Sequence, residues 1–458
     1  MRSFSVDNLL FPIQNKDMNT LFSGKDLRKL IMPLIIEQLL IVLVGMADVL
    51  MVATLGEAAV SGVSLVDSVN QLILQVLFAM TAGGTVVCAR FLGGKDYRKA
   101  SKSGGQLLFI TVTATTLIAI CFIIGNRGIL SLMFGKVEAD VMKNAMLYMF
   151  LTSLSFPFLA LYHSGAAVFR AQGDTRTSML VSLLMNVINV AGNAFCIFIL
   201  KMGVAGVGIP TVISRIIAAI TILSLMQRKE NPIRLKTMSD LIPDFHLLGS
   251  IFSIGVPNSV ESGLFNCGKL ILQSLVSTLG TASIAAYAVA SNLVTYLYLP
   301  GNALGAAILT IVGQCVGAGE HEQAKKYTNK LIIVNYAMLA VLSGTLILGR
   351  HFFVGLYNLS SGSAYYAEGL LLSHCIAMIV WPLAFLYPYY FRAIGKATFT
   401  RVVAIVTMWL FRVGLAYVFV RMMHKDILWV WYAMFIDWIV RAFIYVTAFK
   451  RDSVPKTS

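Results

Sequence analysis

Six carboxylates stand inside or beside long apolar runs of the chain, and they are where chemistry has to be sought: Glu37, Asp48, Asp67, Glu261, Glu368 and Asp437. An acid at the centre of a lipid bilayer costs about 2.5–3.5 kcal/mol, so each is by default a candidate for binding an ion, a proton or a substrate. Glu37 and Asp48 are eleven residues apart, three helical turns, which puts them on nearly one face about 16 Å apart along a helix. Both can therefore line one cavity. Glu261 is followed by Lys269 about 12 Å further along a similar face; an ammonium beside it would hold the acid ionised, and if the two pair, Glu261 is structural. Asp437 and Arg412 have the character of an interhelical ion pair, with Arg441 one turn beyond the acid. Asp67 and Glu368 fall near expected helix ends, where water solvates them. Asn189 and Asn193, one turn apart, either coordinate a cation through their amide oxygens or bridge neighbouring helices.

The elements that carry these residues are membrane-spanning helices. The chain has 458 residues, 58% hydrophobic and 12% charged, with a mean hydropathy of +0.79; a soluble protein carries about 25% charged residues. A soluble enzyme or nucleic-acid-binding protein is excluded on that ground. The net charge of +15 reflects basic loops between apolar blocks rather than affinity for nucleic acid. At about 20 residues per span, the apolar runs predict twelve helices, over 30–53, 64–88, 105–125, 143–168, 177–200, 204–226, 249–279, 284–315, 329–349, 365–390, 402–420 and 427–449.

With the amino terminus inside, 25 of the 36 Lys and Arg lie in the tails and cytoplasmic loops, and seven lie on the opposite side. That asymmetry predicts a multi-pass protein of the plasma (inner) membrane with both termini cytoplasmic. The polar stretch before the first span carries no signal peptide. All six cysteines lie in apolar stretches and the six histidines are scattered, so neither a disulfide framework nor a metal centre is expected. No P-loop, GxSxG elbow or HExxH helix is present, which argues against an ATP-driven pump and against several enzyme classes. No catalytic residue and no cofactor are expected.

Sliding the chain against itself aligns its halves. Pro33 falls on Pro257, Glu37 on Glu261, Thr54-Leu55-Gly56 on Thr278-Leu279-Gly280 and Gly93 on Gly317, without a gap. After a small deletion, Arg170-Ala171-x-Gly173 falls on Arg392-Ala393-x-Gly395. Each half holds six spans, so both cross the membrane in the same sense, the parallel-repeat plan of some secondary transporters. The expected organisation is a cytoplasmic tail at 1–29, an amino-terminal lobe at 30–227, a cytoplasmic linker at 228–248, a carboxy-terminal lobe at 249–450 and a tail at 451–458. The mate of Asp48 is Leu272, so the lobes are chemically unequal at that level.

The ordered segments carrying these residues resemble the multidrug and toxic compound extrusion (MATE) transporters, of the bacterial DinF-like kind. They are Pro33 to Gly56 with Glu37 and Asp48, Gly255 to Gly280 with Glu261, Phe169-Arg170-Ala-Gln-Gly173-Asp174, Phe391-Arg392-Ala-Ile-Gly395, and Asp437-Trp-Ile-Val-Arg441. The resemblance implies an all-α protein, a V-shaped pair of six-helix bundles that exports amphipathic, often cationic organic compounds in exchange for H⁺ or Na⁺. It implies that Asp48 binds the coupling ion or proton, that Asn189 is its partner, and that Thr211 supplies a hydroxyl. Asn193 stands where many relatives have an aspartate, which removes one negative charge from a candidate Na⁺ site at Asp48, Asn189 and Asn193. Glu261 lies where relatives carry a second coupling acid, and the substrate cavity is expected at Glu37, Asp48 and Glu261. The protein is expected to work as a monomer, its partners being small organic substrates and the bilayer. The rival readings are a lipid-linked saccharide flippase of related architecture, which needs basic residues such as Lys269 and Arg215 to hold phosphate, and a receptor or channel.

Overall fold

In the computed structural model, residues 20–135, 137–234 and 238–452 are described. The parts of the expected tails and linker at 1–19, 235–237 and 453–458 lie outside them. Among the described residues every regular element is helical.

The amino-terminal half consists of α1 (Gly24–Ala53), α2 (Glu57–Gly93), α3 (Tyr97–Ile124), the short α4 (Asn126–Phe134), α5 (Ala139–Ala171), α6 (Thr175–Ala194) and α7 (Ala205–Met226). The carboxy-terminal half consists of α8 (Phe245–Ser277), α9 (Thr281–Thr295), α10 (Leu299–Gly317), α11 (His321–Leu348), the short α12 (Arg350–Gly355), α13 (Ser361–Ala377), α14 (Trp381–Phe385), α15 (Tyr387–Ala393), α16 (Ala397–Thr407), α17 (Leu415–Tyr417) and α18 (Ile427–Arg451). Among the described residues ten helices are long and apolar enough to cross a membrane, and the pair Ser361–Ala377 and Trp381–Ala393, bent by 69°, makes an eleventh when counted as one broken span. The 33-residue α8 is the twelfth long segment; Asn258, Glu261, Asn266 and Lys269 dilute its apolar character. Helices suit this solvent because they satisfy their backbone groups within the segment.

The repeat read from the sequence recurs in the backbone. Gly56 and Gly280, mates in the alignment, both take positive φ, 94° and 93°, immediately before α2 and α9. Gly173 and Gly395 do the same at 84° and 86°. These turns need the left-handed region, which glycine enters without a Cβ penalty. Asp96 and Asp174 then cap α3 and α6, accepting from the amides of Lys99 and Thr177, as short acceptor side chains do at helix starts.

The chain divides into two compact units, one from Asp26 to Val256 and one formed by Pro257 onward together with the segment ending at Lys25. In the first, Leu77, Leu108, Leu159, Tyr162, Phe169 and Ile222 form the main apolar core. The linker belongs to this unit: Gln106 donates to the carbonyls of Asp240 and Ile242 at 3.0 and 2.7 Å, and Lys102 pairs with Asp244 at 2.5 Å. The second unit packs around Trp381, Trp431 and Trp438. Both of its ends are pinned to its helices. The amide of Phe22 donates to the Tyr327 hydroxyl, at 3.0 Å, while Asp452 accepts from Lys396 and Tyr390 at 2.6 and 2.9 Å.

Candidate functional site

In the Asp26–Val256 unit the sequence candidates Asp48, Asn193, Asn189 and Thr211 come together as one hydrogen-bonded chain. Asn193 Nδ2 donates to Asp48 Oδ1 at 2.9 Å and lies 3.4 Å from Asn189 Oδ1. Asn189 Nδ2 donates to Thr211 Oγ1 at 3.0 Å, and that hydroxyl passes its proton to the carbonyl of Val207 at 2.8 Å. The spacing of four places both asparagines on one face of α6, turned toward α1 on one side and α7 on the other. Immediately afterwards the helix widens into a π-helical turn, Phe195–Ile199, a local feature frequent at functional sites. Asn193 is fully buried, and its Oδ1 has no hydrogen-bond partner among the described residues. A carboxylate, two amide oxygens and a hydroxyl are the oxygen donors that a hard cation takes.

Two further charges lie within electrostatic range of Asp48 without a hydrogen bond to it. Asp67 was expected to be solvated at a helix end. Instead α2 begins at Glu57, so Asp67 stands about 15 Å into the helix. It is half-buried and accepts from Tyr148 and Asn70 at 3.2 and 3.4 Å. Arg215 lies close enough for its charge to act on both Asp48 and Asp67, and it donates to Ser155 Oγ at 2.5 Å. Spacing alone did not reveal either, because the contacts run between α2, α5 and α7. Arg215 lies among acids here, which favours its pairing with carboxylates over a phosphate.

Glu37 does not share the Asp48 network. It is buried on α1 and pairs with Arg170 at 3.5 Å, near the carboxy-terminal end of α5. Its repeat mate Glu261 behaves the same way in the other unit, where both carboxylate oxygens accept from Arg392 Nη2 at 2.8 Å. Arg170 and Arg392 are themselves mates in the alignment, so the repeat contains a duplicated clamp. The signal was already in the sequence, since the Arg-Ala-x-Gly motif recurs in register with the two glutamates. Lys269 does not pair with Glu261. Its ammonium lies over the Phe265 ring, 5.0 Å from the centroid.

The expected Arg412–Asp437 ion pair is also corrected. Asp437 is fully buried and accepts from Arg441 Nε at 2.7 Å, a partner four residues along on the same face of α18. Arg441 also donates to the carbonyl of Ala404 at 3.0 Å. Arg412 instead occupies a π-helical turn, Met408–Gly414, that interrupts the span begun by α16. The widened turn directs its guanidinium over the Phe265 ring at 5.2 Å. Among the described residues Arg412 forms no ion pair.

The fold matches solved membrane transporters. A crystal structure of MATE in the straight conformation superposes with a TM-score of 0.87 at 20% identity, over 93% of this chain and 95% of that one. A second neighbour, with a TM-score of 0.85 at 20% identity over the same shares of the two chains, is a MOP superfamily transporter from Pyrococcus furiosus, described as having a binding pocket of reversed polarity that suggests a different function. These define the fold as that of multi-helix membrane transporters.

The family follows from the sequence comparison: the MatE model matches residues 33–195 and again 257–418, and the chain belongs to that family. The two matches begin at the repeat mates Pro33 and Pro257. Among curated relatives, the probable multidrug resistance protein YoeA of Bacillus subtilis is 25% identical over 383 residues, 82% of each chain. The multidrug export protein MepA of Staphylococcus aureus is 23% identical over 386 residues, again 82% of each. The probable multidrug resistance protein NorM of Thermotoga maritima is 27% identical over 307 residues, 65% of this chain and 64% of that one.

Proposed function

We propose that this protein is a secondary active multidrug exporter, moving amphipathic, cationic organic compounds out of the cell in exchange for H⁺ or Na⁺. It works as a monomer in the plasma (inner) membrane with both termini cytoplasmic. Its lobes, 30–227 and 249–450, are joined by the cytoplasmic linker 228–248. The relatives named for multidrug resistance and export support the substrate class. The observation that carries the coupling role is the continuous chain from Asp48 through Asn193 and Asn189 to Thr211, with the orphaned Asn193 oxygen beside the carboxylate.

The mechanism is alternating access. Arrival of H⁺ or Na⁺ at Asp48 removes or neutralises its negative charge, and Asn193 and Asn189 reorganise around the change. A cationic substrate that relied on that charge then binds less tightly, and release is linked to ion entry through differential affinity. Na⁺ would draw on the Asp48 carboxylate and the Asn193 and Asn189 amide oxygens; a proton needs only Asp48. Glu37 and Glu261 have a different part, neutralising Arg170 and Arg392 at the ends of the helices they clamp.

The test is ethidium efflux from vesicles under separately imposed pH and Na⁺ gradients, with the native protein and Asp48→Asn. Efflux that follows one gradient and is lost in Asp48→Asn is the expected result. Efflux that ignores both gradients and persists in Asp48→Asn refutes the antiport reading.

A further inference from the structure

The charges inside the carboxy-terminal unit do not cancel. Glu261 is committed to Arg392 and Asp437 to Arg441, which leaves Lys269 and Arg412 as two cations that form no ion pair among the described residues, the Asp437 carboxylate acting on Arg412 only at a distance. Both lie over one ring, Phe265, at 5.0 and 5.2 Å from its centroid. Arg412 is 8% exposed, and its Nε has no hydrogen-bond partner among the described residues. A cation held this way inside a span is costly, and stacking on a ring recovers only part of that cost.

The arrangement is built rather than incidental. Phe265 and Lys269 sit four residues apart on one face of α8. A Cβ placed at Gly268 would come within 2.4 Å of Met408 Cε, at the start of the π-helical turn that carries Arg412. α8 and the turn therefore run close together at Gly268, beside the one ring that both cations share. Beyond Arg412 the wall is aromatic. Tyr287 and Tyr298 lie within range of its charge, and the Tyr298 hydroxyl is 2.9 Å from His374 Nε2, which is ringed by Trp431 and Trp438. In the alignment Lys269 falls on Gly45 and Leu272 on Asp48, so one half carries a cation on the helix where the other carries Asp48.

We infer that Lys269 and Arg412 form a binding site for the anionic head group of an amphipathic molecule, a sulfonate, carboxylate or phosphate, whose apolar body lies along Phe265 and the neighbouring tyrosines. The inference rests on the export reading for amphipathic compounds and extends their class to anionic and zwitterionic ones. The guanidinium supplies fixed, directional donors to an oxyanion, and the ammonium, exposed on α8, supplies a mobile point charge.

The test uses the purified protein in phosphatidylcholine nanodiscs and two probes of the same aromatic body, 1-anilinonaphthalene-8-sulfonate and the uncharged N-phenyl-1-naphthylamine, with ethidium efflux measured in parallel. The native protein should bind the sulfonate at least about tenfold tighter than the neutral probe, and Lys269→Gln should remove that preference while ethidium efflux persists. Arg412→Lys, which keeps the charge and loses the fork, should weaken sulfonate binding less than Arg412→Gln. Replacing part of the phosphatidylcholine by phosphatidylglycerol identifies the source of the head group. Competition that depends on Lys269 supports the site with a lipid as its natural ligand, and no competition supports it with a soluble amphiphile. Equal binding of both probes by the native protein, or an undiminished preference in Lys269→Gln, overturns the inference. If the native protein fails to move ethidium under any gradient, it is the export reading that fails, and the probe preference still decides the site.

Discussion

Replacing Glu261 by glutamine separates a clamp from a coupling residue. The carboxylate accepts two hydrogen bonds at 2.8 Å from Arg392, and the side chains are only 17% and 10% exposed. Removing one partner of such a pair strands the other as a buried charge, which costs about 3–5 kcal/mol. For a unit of about 200 residues, where 1 kcal/mol moves the midpoint by about 2–4 °C, that is a loss of roughly 6–20 °C. The assay is thermal unfolding of the purified protein in detergent, followed by tryptophan fluorescence, for Glu261→Gln, Arg392→Gln and the double variant. The double variant should recover much of the loss, since the stranded charge is gone. Glu37→Gln should cost less, because its contact to Arg170 is a single one at 3.5 Å. An unchanged midpoint in Glu261→Gln, combined with a shifted ion dependence of efflux, would refute the clamp and return Glu261 to the coupling machinery.

Other outcomes follow from the same geometry. Asp48→Asn should leave ethidium efflux at least about tenfold slower with a midpoint within about 1 kcal/mol of native, since an amide can still meet Asn193; a fully active variant sinks the coupling role. Asp437→Asn should destabilise by about 3–5 kcal/mol, read in the same unfolding assay, because Arg441 is left buried beside Arg412; a native midpoint would mean that the pair is dispensable. The docked linker should loosen in acid. The Lys102 hydrogen bond, with the amides of Leu247 and His246, holds the Asp244 carboxyl below its ordinary range, so the contact is fully present above that range and is lost as pH falls through the lowered value. Proteolysis of the linker should therefore accelerate in acid with Asp244 intact and should be fast at every pH in Asp244→Asn; a pH-independent rate in the native protein counts against the latch.

Much of the architecture was legible without coordinates, because lipid imposes a simple rule on sequence. A backbone with no water must be helical, so apolar length alone gave the spans, and Pro33/Pro257 with Gly56/Gly280 gave the repeat. The Asp48 group was legible for a related reason: polar residues are so costly in a span that Asp48, Asn189 and Asn193 stand out. Even the duplicated clamp was implicit in the register of Glu37 and Glu261 with Arg170 and Arg392.

What composition and spacing did not decide was who pairs with whom. Asp67 and Arg215 reach the Asp48 network through contacts between helices far apart in sequence, and Asp437 had two arginines within reach of any sequence argument. The choice of Arg441 over Arg412 depends on a π-helical turn in the eleventh span, which changes the direction of one side chain by inserting a residue's worth of rotation into the helix. The same turn sets Arg412 over Phe265 beside Lys269. Pairing of charges falls off over a few ångströms, whereas the apolar pattern that builds a span is averaged over some twenty residues, so the sequence by itself determined the helices and only the tertiary structure decided the charges between them.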